Sequence, residues 1–309
     1  MSKTWSKEKI ERYKKLAVGS SVLLSTFLFF IKVLASLATG SLAILSSLVD
    51  SLSDIVASIV SFIAVKISLK PASCSHRYGY FKAEHISALI QAAFIAGSGF
   101  FVMYNGIDRF LHPVALQQTD IGILVMVLSL VLTLVLIFFQ QYVTKHTNSV
   151  AIKADSAHYV VDILTNSSII LTLVVVKAFR IDWFDTLTAF VISIYLTLYA
   201  YQIAREAVNF LLDQELNEEI RQNVLKIVQH TDEVKGVHDL RTRDLGGTYY
   251  FELHLEIDGN LSLFKAHQIT QSVENKIKLV YPSAQVLIHQ DPFGLKEERL
   301  DDLLNHCEG

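Results

Sequence analysis

Two apolar stretches of this chain each carry a pair of metal-binding side chains four residues apart: Asp50 with Asp54, and His158 with Asp162. An α-helix turns once every ~3.6 residues, so positions i and i+4 lie one above the other on a single face. Two such helices facing each other offer three carboxylates and an imidazole around one point, a donor set that a tetrahedral dication such as zinc accepts. An ionisable group deep in a membrane segment costs about 2.5–3.5 kcal/mol even on lenient insertion scales. Four such groups in two runs therefore call for a function. Asp155, one turn before His158 on roughly the same face, reads either as a residue at the cytoplasmic mouth of a path or as a solvated acid at a helix start. Lys32, deep in another apolar run, is expected to snorkel its ammonium outward.

Composition places these pairs in a lipid bilayer. The 309 residues are 51% hydrophobic and only 18% charged, against about 25% charged in an ordinary soluble protein. Runs near the ~20 residues needed to cross a bilayer fall at Leu16–Ala38, Ser41–Leu69, Ala83–Leu111, Ile121–Val143, Val150–Phe179 and Phe184–Ala204. An even number of spans puts both termini on one side. Lys3, Lys7, Lys9, Arg12, Lys14 and Lys15 precede the first span, with Lys66, Lys70, Arg77, Lys82, Lys145 and Lys153 around the loops on that side. The other side has Arg109, Lys177 and Arg180, so the positive-inside rule makes both termini cytoplasmic. Trp183 suits an interfacial anchor on the outer side. The opening MSKTWSKEKIERYKK is a long charged segment with no cleavage site, so the first span is expected to remain in the mature chain.

After residue 212 the pattern changes to that of a soluble domain. LNEEIRQNVLKIVQHTDEV is amphipathic at helical period, with Ile220, Val224, Ile227 and Val228 on one face. GVHDLRTRDL and TYYFELHLEID read as strands joined by a Leu-Gly-Gly-Thr turn. A helix over SLFKAHQITQSVENKIKLVY, stopped by Pro282, and a last strand AQVLIHQD complete an α-β-β-α-β order, which predicts a small open-faced, metallochaperone-like sheet covered by two helices. The expected organisation is an N-terminal cytoplasmic segment (1–15), a six-helix transmembrane domain (16–212), a cytosolic α/β domain (213–291) and a peripheral acidic tail (292–309). A net charge of −3 gives no reason to expect a nucleic-acid partner, and Cys74 and Cys307 make no disulfide framework.

With these motifs in place the chain resembles the cation diffusion facilitators, in particular their bacterial zinc and ferrous-iron efflux branch. The resemblance rests on TGSLAILSSLVDSLSD, RYGYFKAE, ADSAHYVVD, VHDLRTRD and VLIHQDP, and runs from about Leu16 to Pro292. It implies a homodimeric metal efflux transporter of the bacterial inner membrane, with Asp50, Asp54, His158 and Asp162 as transport site. It also implies a cytosolic metal site built from His238, His254, His267, His289 and Asp291, where a pair of zinc ions ties two protomers together. Spacing alone places His289 and Asp291 on one strand face and leaves the other histidines open to being scattered surface residues. Lys82 and Asp213 match the family's charge interlock between membrane and soluble domains. The family's third site, in the second cytoplasmic loop, departs here to Ser73, His76 and Tyr80, so one ligand of three, His76, remains. Cys74 beside it reads as an ordinary loop cysteine or as a thiolate companion to His76.

Metal binding requires deprotonated ligands and so expels protons, and imidazole titrates near neutral pH by nature. A quartet open alternately to each side would thereby exchange cytoplasmic metal for external protons. One nitrogen with three oxygens suits zinc, and also ferrous iron, cadmium or cobalt. An intramembrane metalloprotease would bring an HExxH helix, which is missing from the chain. A multidrug exporter would need a roomy apolar cavity in place of a tight four-ligand point. A membrane-bound metal sensor without transport would keep the soluble histidines and have no use for the quartet.

Overall fold

The computed structural model describes residues 5–39, 42–111, 120–179 and 183–304. The side chains of Arg109, Lys177, Arg180 and Trp183, on which part of the orientation and anchoring argument rests, lie outside the described set, as do His306 and Cys307. The chain divides into two compact units, residues 1–211 and 212–309.

Among the described residues, six long helices build the first unit: α1 (Lys7–Thr39), α2 (Leu42–Ser68), α3 (Lys82–Leu111), α4 (Asp120–Thr147), α5 (Val150–Phe179) and α6 (Trp183–Leu211). Described stretches of α1, α2, α3, α4 and α6 are long and apolar enough to span a bilayer. The thirty-residue α5 carries Lys153, Asp155 and Asp162 in its first half. Helix α1 starts at Lys7, well before the apolar run begins at Leu16. Its first turns are held by aromatic contacts, with Trp5 stacked on the His146 ring at 4.5 Å and Lys9 over the Trp5 face.

The unit is built inside out relative to a soluble bundle. Large apolar side chains such as Leu23, Phe30, Phe100 and Phe138 point outward, while Ser21, Ser25, Ser58, Ser61, Gln91 and Gln140 are buried. Lipid tails satisfy the first group, and helix–helix hydrogen bonds satisfy the second. Small residues let the backbones close: a Cβ at Gly106 would lie 2.6 Å from Ala189 Cβ, and one at Gly99 would lie 3.3 Å from Leu196 Cβ. Ser193 Oγ seals that α3–α6 seam by donating to the Gly99 carbonyl at 2.8 Å. Glu84, buried at the start of α3, accepts from Lys14 Nζ, Ser68 Oγ and Ser149 Oγ at 2.6–2.9 Å and so joins α1 and α2 to the α4–α5 connection.

The second unit runs α7 (Glu218–Gln229), β1 (Gly236–Asp244), β2 (Tyr249–Ile257), α8 (Leu263–Val280) and β3 (Gln285–Pro292), followed by a short α9 (Leu300–Leu304). Asn217 caps α7 by accepting from the Ile220 amide, and Ser262 caps α8 by accepting from the Lys265 amide. The β1–β2 hairpin turns at Gly246 and Gly247, both at positive φ (77° and 94°), which the right-handed twist of the flanking strands requires. Sheet order is β1-β2-β3, with β1 antiparallel and β3 parallel to β2. Along β2 the residues alternate: Phe251, Leu253 and Leu255 pack with Val224, Val228, Ile269, Val273 and Ile277 of the two helices. Glu252, His254 and Glu256 take the opposite face.

Candidate metal centres

In the membrane unit, Asp54, His158 and Asp162 each present a ligand atom within 4.8 Å of the other two. His158 Nε2 is 3.1 Å from Asp54 Oδ1, and its Nδ1 is buried with no hydrogen-bond partner. A tetrahedral ion at ~2.0–2.1 Å from its ligands needs them about 3.3 Å apart, a spacing that the His158–Asp54 pair comes close to. Asp50, one turn before Asp54, is exposed and outside this cluster. The Ser58 and Tyr159 hydroxyls, 2.7 Å apart, tie α2 to α5 one turn from the ligands.

Two neighbours differ from the sequence expectation. Asp155 is not a solvated acid: it is fully buried and accepts from Ser21 Oγ and Gln140 Nε2 at 2.6 Å and from Gln91 Nε2 at 3.3 Å. Polar residues of α1, α3 and α4 thus converge on one carboxylate of α5. Lys32 turns inward, donating from Nζ to Ser51 Oγ of α2 at 2.6 Å. A hydroxyl within reach removes the need to extend the ammonium to the interface.

In the soluble unit the strand register assembles the second centre. His238 pairs with His254 across β1–β2, and His254 pairs with His289 across β2–β3. Three imidazoles therefore lie side by side on the helix-free face, with ring centres 5.0 and 4.8 Å apart. Asp291, two residues beyond His289, binds His254 Nδ1 at 2.8 Å and lies 3.2 Å from His289 Nε2 and 3.8 Å from His238 Nε2. The group able to hold one ion is His238, His254, Asp291 and Glu297. His289 is exposed beside it, and His267 stands exposed on α8 outside it.

His238 is 5% exposed, and neither ring nitrogen makes a hydrogen bond. Both lie close to carboxylates, Nδ1 at 3.1 Å from Glu256 and Nε2 at 3.3 Å from Glu297. A buried imidazole with unspent nitrogens among carboxylates fits a metal ligand, because metal-bound histidines commonly direct the second nitrogen at a carboxylate. The bulge between His238 and Arg241 places Asp239 at φ 53°, a left-handed conformation that Asp tolerates. Burial alone would raise the Asp239 carboxyl, but the backbone N–H groups of Asp301 and Leu300 outweigh it and hold that carboxyl below its ordinary range.

The second cytoplasmic loop is knit by its own hydrogen bonds. Ser73 Oγ and Tyr80 Oη are 2.9 Å apart, Ser75 Oγ meets His76 Nδ1 at 3.0 Å, and Cys74 is exposed. His76 belongs to no ligand cluster among the described residues. Lys82 donates to the Leu211 carbonyl at 3.3 Å within the first unit, and Asp213 pairs with Arg243 at 3.4 Å within the second.

Known proteins match this arrangement over most of its length. The cation efflux transmembrane domain matches residues 19–212, and the cytoplasmic domain of cation efflux proteins matches residues 216–293. The chain belongs to the cation diffusion facilitator family. The family's cation-efflux pump FieF of Shewanella oneidensis is 42% identical over 278 residues, covering 90% of this chain and 94% of that one. FieF of Pectobacterium atrosepticum is 40% identical over 292 residues, covering 93% and 95%. A solved structure of the transporter CzrB in its zinc form is 27% identical and covers 28% of this chain and 99% of that one, with a TM-score of 0.26. This family member is a multi-pass membrane protein and a cation efflux transporter, not an enzyme.

Glu297 escaped the sequence reading because it sits in a tail without strand or helix periodicity, six residues past Asp291. The buried acceptor role of Asp155 was missed too. The available signal was the presence of Ser21, Gln91 and Gln140 inside apolar runs, since polar groups there must find one another.

Proposed function

We propose that this transporter exports a divalent transition metal from the bacterial cytoplasm across the inner membrane in exchange for protons. Zinc is the foremost cargo, with ferrous iron, cadmium and cobalt as further ones. The observation that carries the reading is the gathering of Asp54, His158 and Asp162 between α2 and α5, with Asp50 one turn away on the same helix. One imidazole nitrogen and carboxylate oxygens match the preferences of these borderline ions. Cytoplasmic metal displaces protons from the cluster; when the helices rock to open the outer side, protons entering there displace the metal. The protein works as a homodimer with both termini cytoplasmic.

On the soluble domain, His238, His254 and Asp291 would hold a resident metal, zinc by their chemistry, which would supply a cross-link favouring the dimer. His289 and His267, outside the one-protomer group, remain available to a centre shared between protomers.

The test is metal flux in proteoliposomes with an imposed pH gradient. Acid outside should accelerate zinc export, and Asp54→Ala should abolish export while the protein stays inserted and helical. Zinc flux indifferent to the gradient would remove the antiport, and metal binding without flux would favour a membrane-bound sensor.

A further inference from the structure

We propose that the segment after β3 is a strap that supplies a metal ligand, with Glu297 completing the His238–His254–Asp291 centre from within the same protomer. The inference rests on the reading of that cluster as a metal site and goes beyond it by assigning the fourth ligand and the device that delivers it.

The path of the chain argues for a built feature. Phe293 N donates to the Ile257 carbonyl at 2.7 Å, extending the β2–β3 ladder past Pro292. The chain then turns at Gly294, whose φ of 87° suits glycine. Two further pins follow. Arg299 Nη2 donates to Glu256 Oε1 at 2.6 Å, and Asp239 and Asp301 exchange backbone-to-carboxylate hydrogen bonds at 2.8 and 2.9 Å. Glu297 lies between these fixed points and reaches His238 Nε2 at 3.3 Å. The tail expected to be peripheral therefore crosses the open face of the sheet.

The donor chemistry supports ligation over a simple ion pair. His238 makes no hydrogen bond through either nitrogen although both are buried, so the Glu297 contact leaves the Nε2 lone pair or proton unspent. Four donors from His238, His254, Asp291 and Glu297 lie within 4.8 Å of one another, a two-nitrogen, two-oxygen set suited to a tetrahedral dication. Arg299 has a distinct positioning role. By holding Glu256, whose carboxylate lies 3.1 Å from His238 Nδ1, it would keep that acid from competing for the ion.

The experiment uses the full-length protein in detergent with Asp54→Asn to silence the membrane cluster, and Co2+ as spectroscopic probe. With the soluble cluster intact, a tetrahedral Co2+ absorption band is expected. Glu297→Gln should weaken Co2+ affinity by about 10–100-fold or more, the loss that even an outer-shell partner commonly causes, and should shift the band. Co2+ should also slow tryptic cleavage after Lys296 and Arg299 in the parent and fail to do so in Glu297→Gln. Unchanged affinity, band and protection in a folded Glu297→Gln protein would overturn the strap. Absence of any Co2+ band in the parent would instead overturn the metal reading of the cluster itself.

Discussion

Asp155 offers the sharpest test of how the membrane unit holds its site. Its carboxylate accepts from Ser21 and Gln140 at 2.6 Å and from Gln91 at 3.3 Å, drawing α1, α3 and α4 onto α5 one turn from His158. Hydrogen bonds to charged groups contribute about 1.5–3 kcal/mol in soluble proteins. Interhelical bonds in membranes average about 0.6 and reach about 1.7 kcal/mol. Placing the two short bonds near the membrane maximum and the long one near the mean gives about 3–4 kcal/mol. Asp155→Asn should lose most of this, because one carboxylate oxygen becomes an NH2 that faces glutamine donors. At roughly 2–4 °C per kcal/mol for a unit of this size, the apparent Tm in detergent should fall by about 6–16 °C, read from the helical circular dichroism signal. A cycle with Gln140→Ala should show coupling above about 0.5 kcal/mol, since the two groups touch. A Tm within ~1 °C of the parent, or strict additivity with Gln140→Ala, would refute the network as a structural clasp.

His158→Asp replaces the only nitrogen of the membrane cluster with oxygen, so transport selectivity should broaden toward harder ions; unchanged competition by manganese against zinc flux would contradict the assignment. Gly106→Ala should destabilise the α3–α6 seam by about 1–3 kcal/mol through overpacking against Ala189. Gly97→Ala, with nothing within 4 Å of the added carbon, should be neutral or slightly stabilising in the same melting assay. Equal effects of the two glycine substitutions would show that close approach is not what selects Gly106.

What was legible in the sequence follows the range over which each physical rule acts. The pairs at 50/54 and 158/162 could be read because helical period is local, and the structure joins Asp54, His158 and Asp162 between two helices. The α-β-β-α-β order was legible from alternation and turn residues such as Gly246 and Gly247. Strand register is different: the side-by-side row of His238, His254 and His289 depends on a bulge after His238, and no local pattern announces a bulge at Asp239 and Leu240. Contacts such as Gln140 with Asp155, or Glu297 with His238, depend on which elements meet in space. Hydropathy identified the apolar runs around Asp155 without saying that its neighbours were polar.

The two centres also differ in how their ligands are held, and the difference matches the roles proposed for them. Three histidines on paired strands inherit their spacing from backbone hydrogen bonds, so His238 and His254 cannot separate without breaking the sheet. An ion held there, as proposed, would sit in a rigid frame. In the membrane, Asp54 and His158 belong to separate helices joined near the site by side-chain contacts, Ser58 to Tyr159 and Asp54 to His158. Helices can slide or rock at the cost of exchanging such contacts, whereas each keeps its internal hydrogen bonds. With Asp50 outside the gathered three, the proposed transport would need only a small shift of α2 relative to α5 to change how many carboxylates meet the ion. A cluster whose ligand number changes with helix position can bind from one side and release to the other, which a rigid sheet site cannot do.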